Sequence, residues 1–176
     1  MSAATASADA LADAAARVRL LVLDVDGVMT DGRLYYGARG EALKVFHVRD
    51  GLGLKLLADA GIIVAVISGR RSTMNSARCR ELGVKHLVQG VADKLAAFQR
   101  LRGRLQVSSG MCACVGDDVT DVALMRAVGL SFAVADAHPQ ARSAAQVVTQ
   151  LPGGSGAVRE ICDFLLEARR RAGAAA

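Results

Sequence analysis

Short apolar runs alternate along the chain with segments in which apolar residues recur at helical spacing. The apolar runs, which predict strands, cover residues 20–23, 62–67, 84–88, 111–115, 130–134 and 146–149. Helices are predicted from Asp50 to Gly61, from Ser72 to Gly83, over about 94–105 and 119–128, after Pro139, and over about 157–170. Strands that alternate with helices are typical of a parallel sheet with right-handed crossovers. The predicted fold is therefore a single α/β domain over residues 18–171.

The segment 31–48 interrupts this alternation. Two short β-prone runs flank a turn bounded by Gly37 and Gly40, which predicts a β-hairpin inserted after the first strand. Because the hairpin follows the first strand directly, it could act as a flap over the end of that strand. Its β-branched and aromatic surface could equally pair with another subunit.

Polar side chains follow several of the predicted strands at the point where each strand ends. They are Asp24, Asp26, Ser68, Asp117, Asp118 and Asp121, and Lys94 begins a helix after another strand. The carboxyl ends of parallel strands lie on one side of a sheet, where ligands bind. Each residue alone also suits a solvated turn, a helix cap or an exposed charge. Their joint placement at strand ends favours one site.

The chemistry of these residues is that of phosphoryl transfer. Asp24 can attack phosphorus and form an aspartyl phosphate, and Asp26, two residues later, can act as general acid and base. Mg²⁺ bridging Asp24, Asp117 and a phosphate oxygen would let the anions approach one another. Ser68 and Lys94 can bind the equatorial phosphate oxygens.

Composition and charge narrow the class of protein. Among 176 residues there is no Trp and aromatic residues make up only 3%, so side chains on which nucleic-acid bases could stack are scarce. The modest net charge of +5 suits a small anionic substrate. The four cysteines, which lack the spacing of a zinc site, are predicted to be buried reduced thiols. No signal peptide or membrane span is recognised, so we expect a cytoplasmic protein, with disordered termini over 1–17 and 172–176.

The motifs resemble a known family. The Asp24-Val-Asp26-Gly-Val-Met-Thr run, Ser68-Gly-Arg70, Lys94 and the Gly116–Asp121 run are similar to the four motifs of the haloacid dehalogenase superfamily of phosphatases. Blocks at 45–51, 78–83, 134–139 and 156–160 resemble, more narrowly, the 3-deoxy-D-manno-octulosonate 8-phosphate phosphatases. The similarity runs from about residue 20 to residue 166.

This resemblance implies a Rossmann-like parallel sheet flanked by helices, without a cap domain. It also implies a homotetramer in which the 31–48 hairpins build a central barrel and a neighbouring subunit helps to close each site. Mg²⁺ would be held by Asp24, Asp117 and the main-chain carbonyl of Asp26, with Asp118 and Asp121 in support. The activity implied is release of phosphate from an eight-carbon keto-sugar acid, upstream of lipopolysaccharide inner-core assembly.

The resemblance further implies a set of substrate contacts. They are Asp26, His47, Val48, Arg49, Asp50, Gly51, Lys55, Arg70, Arg78 and Lys94. Several arginines suit a substrate that carries a carboxylate as well as a phosphate. The chain departs from the family pattern at His47, where Asn is usual, at Lys55, where Arg is common, and at Ser155, where Arg is frequent. These departures bear on substrate preference and leave the catalytic motifs intact.

Three alternatives stay open on the sequence. The substrate could be a nine-carbon keto-sugar acid phosphate. The chain could be a phospho-acceptor signalling module, although such modules carry the acidic pair on a different strand from the phosphorylated aspartate. It could also be an inactive tetrameric scaffold, which the intact motifs disfavour.

Overall fold

Six parallel strands form the central sheet in the computed structural model, which describes residues 3–174. The strands of the described chain are β1 Leu20–Leu23, β2 Tyr35–Gly37, β3 Gly40–Leu43, β4 Ile63–Ser68, β5 His86–Gln89, β6 Cys112–Gly116, β7 Leu130–Ala133 and β8 Val147–Val148. The helices are α1 Ala3–Ala16, α2 Val48–Asp59, α3 Thr73–Glu81, α4 Lys94–Leu105, α5 Val122–Met125, α6 Pro139–Ala144 and α7 Ala157–Ala174. The predicted α/β fold with a parallel sheet is confirmed.

The strand order β5-β4-β1-β6-β7-β8 places β1 in the middle of the sheet. All four residues of β1 are buried because helices cover both faces, as their unbroken apolar sequence requires. β1 pairs with β4 on one side and β6 on the other, so the ends of these three strands meet. The predicted helix over 119–128 is shorter in the structure: a 3-10 turn, Val119–Asp121, leads into α5, which ends at Met125.

The hairpin predicted after the first strand is present as β2 and β3. These strands pair antiparallel, with Tyr35 opposite Leu43 and an irregularity between Tyr35 and Tyr36. The hairpin leaves the main sheet at the end of β1 and returns to α2, so it lies on the same side as the carboxyl ends of the strands.

The amino-terminal segment differs from the expected disordered extension over 1–17. The structure gives helix α1, Ala3–Ala16, whose Ala15 is buried in the core against α7. Alanine has the highest helix propensity and a small side chain that packs closely, which explains the helix. At the other end α7 continues through Ala174, into the segment expected to be a disordered tail. Residues 1, 2, 175 and 176 lie outside the described residues. Within the described chain no helix has the length and apolarity needed to cross a membrane.

Asp50 contacts a distant helix. The helix was predicted to begin at Asp50, but α2 already begins at Val48, and the Asp50 carboxylate accepts a hydrogen bond of 2.9 Å from the amide of Arg159 in the first turn of α7. The contact spans 109 residues of sequence, which is why local spacing did not reveal it. Burial raises the pKa of Asp50, and the Arg159 amide offsets part of that effect. Asp50 thus ties two helices together.

Replacing Asp50 with Ala removes the acceptor for the partly buried Arg159 amide. We expect Asp50→Ala to lower the free energy of unfolding by about 1–2 kcal/mol, as for other lost helix caps. Asp50→Asn keeps an acceptor without burying a charge, so its loss should be smaller. Urea denaturation followed by circular dichroism measures both. The control is Asp59→Ala, an exposed residue at the end of the same helix. Equal midpoints for Asp50→Ala and the control would contradict the capping role.

Candidate active site

The carboxyl ends of β1, β4 and β6 and the start of α4 surround one cavity of about 240 Å³. Parallel strands end on the same side of the sheet, and three neighbouring strands therefore deliver their polar residues to one place. The cavity is lined by Asp24, Asp26, Ser68, Gly69, Arg70, Val91, Ala92, Lys94, Asp117, Asp118 and Thr120.

A buried lysine lies between two of the carboxylates. Lys94 Nζ is 2.9 Å from Asp24 Oδ2 and 2.7 Å from Asp121 Oδ1, and the Lys94 side chain is only 5% exposed. Burial acts to lower the pKa of Lys94, but the charges of Asp24 and Asp121 outweigh it and raise the pKa above its ordinary value. Lys94 is therefore held as a cation beside Asp24.

Asp121 organises the loop that carries Asp117. Its second oxygen, Oδ2, accepts hydrogen bonds from the amides of Asp117 (3.2 Å) and Asp118 (3.3 Å). Asp118 in turn caps the 3-10 turn through a 2.7 Å bond from the Val119 amide. Asp121 does not line the cavity, and both of its oxygens are occupied within the protein. Asp121 therefore holds Lys94 and the loop that carries Asp117 in place.

Negative charge accumulates at the centre of the site. One oxygen from each of Asp24, Asp117 and Asp121 lies within 4.8 Å of the others. Burial, reinforced by the charges of Asp24 and Asp121, raises the pKa of Asp117 to about 8. Burial also raises the pKa of Asp24 to about 6, against the lowering effect of Lys94.

These carboxylates fit a divalent metal ion. Asp117 Oδ1 is buried and has no hydrogen-bond partner among the described residues, which is costly unless another group binds it. Hard cations such as Mg²⁺ take carboxylate oxygens as ligands and would relieve both the repulsion and the unpaired oxygen.

Gly27 leaves the space that the Asp117 carboxylate fills. Its φ angle is +89°, in the left-handed region that favours glycine, and a Cβ atom there would lie 2.1 Å from Asp117 Oδ2. Any larger residue at position 27 would displace Asp117.

Asp26 lies in a different charge environment from Asp24. Its carboxylate is outside the three-carboxylate group and pairs instead with Lys44 Nζ, while Arg70 Nε lies 3.6 Å from its Oδ2. Lys44 and its neighbour Glu41 belong to the hairpin segment and were not singled out from the sequence. Their contact with Asp26 depends on how the hairpin folds back, for which the local sequence carries no signal.

Most of the substrate contacts implied by the resemblance lie away from this cavity. Arg70, Asp26 and Lys94 line it, whereas His47, Val48, Arg49, Asp50, Gly51, Lys55 and Arg78 do not. Arg78 lies over the Phe46 ring, 5.6 Å from its centroid, and donates a hydrogen bond of 3.4 Å to the His47 carbonyl. Val48 is 79% exposed. Apart from the buried Asp50 and Gly51, these residues form a separate surface around the start of α2.

Comparison with known proteins identifies the family. Residues 83–161 match the family of haloacid dehalogenase-like hydrolases. The chain is 50% identical over 163 residues to 3-deoxy-D-manno-octulosonate 8-phosphate phosphatase of Escherichia coli K12, covering 93% of this chain and 86% of the relative. The chain belongs to the 3-deoxy-D-manno-octulosonate 8-phosphate phosphatase family. The family resemblance inferred from the motifs is confirmed. Membership of a phosphatase family disfavours the alternative that the chain is a phospho-acceptor signalling module.

Solved structures of the octulosonate 8-phosphate phosphatases share this fold. The Yersinia pestis enzyme gives a TM-score of 0.90 at 48% identity and covers 93% of this chain and 88% of its own. The Moraxella catarrhalis enzyme gives 0.89 at 39% identity, with coverage of 93% and 94%, and was solved with a magnesium ion, a phosphate ion and KDO. A member of the family therefore binds the metal predicted from the carboxylates, together with phosphate and the sugar acid that the resemblance implies.

The raised pKa of Asp117 predicts how the metal-free protein responds to pH. Because its pKa rises from 3.8 to about 8, the folded protein binds this proton more tightly than the unfolded chain does, and stability falls as pH increases across that interval. We expect Asp117→Asn to melt several degrees higher than the wild type at pH 8 in EDTA, since about 1 kcal/mol shifts Tm by 2–4 °C in a domain of this size. The difference should shrink towards pH 4.

In excess Mg²⁺ we expect the wild type to melt at a higher temperature than Asp117→Asn, because only the wild type keeps the full ligand set and gains stability from binding. Thermal melts in both buffers provide the measurement. Asp59→Asn, an exposed carboxylate far from the site, is the control and should follow the wild type. An Asp117→Asn variant that melts below the wild type in EDTA at pH 8 would contradict the cost of ionising this buried carboxyl group.

Proposed function

We propose that this protein is a Mg²⁺-dependent phosphatase that hydrolyses 3-deoxy-D-manno-octulosonate 8-phosphate to the free sugar acid and phosphate. The convergence of Asp24, Asp26, Lys94 and Asp117 on one cavity, in a chain 50% identical to an enzyme of that name, carries the proposal. The resemblance drawn from the motifs leads to the same activity.

In the first step Asp24 acts as the nucleophile and Asp26 as the acid. An oxygen of Asp24 forms a bond to phosphorus as the bond from phosphorus to the sugar oxygen breaks, and Asp26 donates a proton to that oxygen. The products are the sugar acid, an aspartyl phosphate at Asp24 and an Asp26 carboxylate. Their positions just beyond β1, both lining the cavity, support these roles.

In the second step water hydrolyses the aspartyl phosphate, and Asp24 and Asp26 return to their starting states. Asp26 takes a proton from a water molecule whose oxygen attacks phosphorus, and the bond from phosphorus to Asp24 breaks. Phosphate leaves, Asp24 is again a carboxylate and Asp26 again carries a proton. The same residue serves as acid and then as base because the two steps are chemically the reverse of each other.

Ser68 and Lys94 are assigned to the phosphoryl group. The buried Ser68 Oγ accepts a hydrogen bond of 3.3 Å from the Arg70 amide, which leaves its O–H as a donor for a phosphoryl oxygen. Lys94 holds a positive charge 2.9 Å from Asp24, beside the position that phosphorus must occupy. Both groups are fixed before substrate arrives, so they stabilise developing charge without reorganisation.

Asp24, Asp117 and the main-chain carbonyl of Asp26 would hold Mg²⁺, with Asp118 and Asp121 in support. The unpaired Asp117 Oδ1 and the three-carboxylate group support this ligand set. When bound, Mg²⁺ supplies positive charge that offsets repulsion between the phosphate and Asp24.

The remaining substrate contacts are assigned to a neighbouring subunit of a homotetramer. The α2 surface formed by His47, Val48, Arg49, Lys55 and Arg78, with Gly51 buried beneath it, lies outside the cavity of its own chain. Asp50, which the resemblance also implies as a substrate contact, is buried and hydrogen-bonds to α7, which supports a structural role. The hairpin exposes apolar side chains that would pack between copies: Leu34, Tyr35, Leu43 and Val45.

A charge on the outer face of the hairpin should disrupt this assembly. Leu43 is 46% exposed, so Leu43→Glu is tolerated by the monomer but would place a carboxylate in the interface. We expect a lower molar mass by light scattering and a larger loss of kcat/KM for the sugar acid phosphate than for p-nitrophenyl phosphate. Met111→Glu, an exposed apolar residue at the opposite end of the sheet, is the control. An unchanged mass for Leu43→Glu would contradict the hairpin interface.

The activity itself is tested by phosphate release from the eight-carbon sugar acid phosphate, a nine-carbon analogue and p-nitrophenyl phosphate, each with Mg²⁺ and with EDTA. We expect Mg²⁺-dependent turnover with a preference for the eight-carbon substrate. Asp24→Asn should lower kcat by at least about 10³-fold while keeping the wild-type circular dichroism spectrum, since the nucleophile is lost and the shape is kept. A preference for the nine-carbon acid would replace the proposed substrate, and inactivity on all three compounds would reject the enzyme.

A further inference from the structure

The hairpin segment buries a lysine against the proposed acid of the reaction. Lys44 follows β3 directly, and its side chain is 1% exposed. Its ammonium group pairs with Asp26 Oδ1 and lies 3.5 Å from Glu41 Oε1. A lysine is rarely buried to this extent unless it is paired, because removing the charge from water is costly. The two carboxylates compensate for that cost.

Arg70 holds the other side of the same carboxylate. Its Nε lies 3.6 Å from Asp26 Oδ2 and its Nη2 lies 3.6 Å from Glu41 Oε1. The hydroxyl of Tyr36, in β2, accepts a further bond of 3.2 Å from Arg70 Nη2. Two cations and two carboxylates thus form a closed group that links the hairpin to the ends of β1 and β4.

The two aspartates that follow β1 have separate lysines. Lys94 pairs with Asp24 and Asp121, and Lys44 pairs with Asp26 and Glu41. Lys94 lines the cavity, where it can reach the phosphoryl group, whereas Lys44 does not. Lys44 therefore has access to the reaction only through Asp26.

We propose that Lys44 is a positioning residue that holds the Asp26 carboxyl group towards the leaving oxygen of the substrate, with Glu41 holding Lys44 in turn. The proposal rests on the function proposed above, in which Asp26 protonates that oxygen. A charged side chain held on one oxygen restricts the rotation of the carboxyl group, whose other oxygen is buried without a hydrogen-bond partner among the described residues, 3.6 Å from Arg70 Nε. Loss of Lys44 would leave Asp26 in the site but free to turn away or to pair more closely with Arg70.

This role has a specific kinetic consequence. A sugar alkoxide is a poor leaving group and needs the proton from Asp26, whereas p-nitrophenolate leaves readily without one. Since kcat/KM reports the steps up to formation of the aspartyl phosphate, misplacing Asp26 should affect the two substrates very differently. A lysine with a purely structural role would lower both values together.

The test compares Lys44→Met with the wild type on the sugar acid phosphate and on p-nitrophenyl phosphate, with saturating Mg²⁺. We expect kcat/KM for the sugar acid phosphate to fall at least about 10-fold, mainly through kcat, and that for p-nitrophenyl phosphate to change less than about 3-fold. Lys44→Arg should recover part of the loss. Lys85→Met, an exposed lysine at the far end of the sheet, is the matched control and should behave as the wild type.

A double variant separates action through Asp26 from an independent effect. Asp26→Asn should show the same dependence on the leaving group, and adding Lys44→Met to it should cause little further loss. If Lys44→Met does not fold, Glu41→Gln provides the same test, because it frees Lys44 from its second partner and should give a milder loss with the same substrate pattern.

Three patterns of kinetic change in the variants would overturn the role of Lys44. They are equal losses on both substrates, a rise in KM for the sugar acid phosphate with unchanged kcat, which would mark a direct substrate contact, and full additivity with Asp26→Asn. A wild type that fails to hydrolyse the sugar acid phosphate rejects the proposed function instead. An active wild type with an unaffected Lys44→Met rejects only the positioning role.

Discussion

Repulsion between carboxylates at the end of β1 and β6 is the constraint on which the rest of the site depends. A parallel sheet brings its strand ends together, so residues that follow different strands must share a small volume. Here that volume holds Asp24, Asp117 and Asp121, with oxygens within 4.8 Å of one another. Lys94 neutralises part of the charge, while burial, together with the neighbouring carboxylate charges, raises the pKa values of Asp24 and Asp117. The site therefore favours a bound cation, which would offset this charge and that of the anionic substrate.

The surrounding backbone keeps this arrangement from relaxing. Asp121 binds the amides of Asp117 and Asp118, and Gly27 provides the space for the Asp117 carboxylate. Gly153 packs so closely on the Gly27 carbonyl that a Cβ atom there would lie 1.8 Å from it. A loop near the start of α7 thus fixes the loop after β1, and Asp50 anchors the same helix. Stability of the fold and geometry of the site are joined through these contacts.

The sequence was sufficient to predict features that depend on local pattern. Buried strands have unbroken apolar runs, and Asp24, Ser68 and Asp117 follow such runs directly, so their convergence follows from the parallel sheet alone. Asp50 and Lys44 were not assigned their contacts, because each partner lies in a distant part of the chain and nothing near either residue encodes it. The helix at Ala3–Ala16 was missed for another reason: an alanine-rich segment has high helix propensity but little apolar periodicity.

The hairpin segment has two sides with different contacts: one places charged groups beside Asp26, and the other presents apolar side chains. A cavity open on one side leaves Asp26 accessible to water, and the main sheet supplies Arg70 as a cation near it. The hairpin adds Lys44 and Glu41 on its inner side, while its outer side carries Leu34, Leu43 and Val45, which are exposed in a single chain.

An isolated two-stranded hairpin has little stability of its own. Packing between copies would hold the outer side in place and, through the short connection from Leu43 to Lys44, would also hold the inner side on Asp26. Under the proposed function, assembly and positioning of Asp26 would then be two effects of one segment.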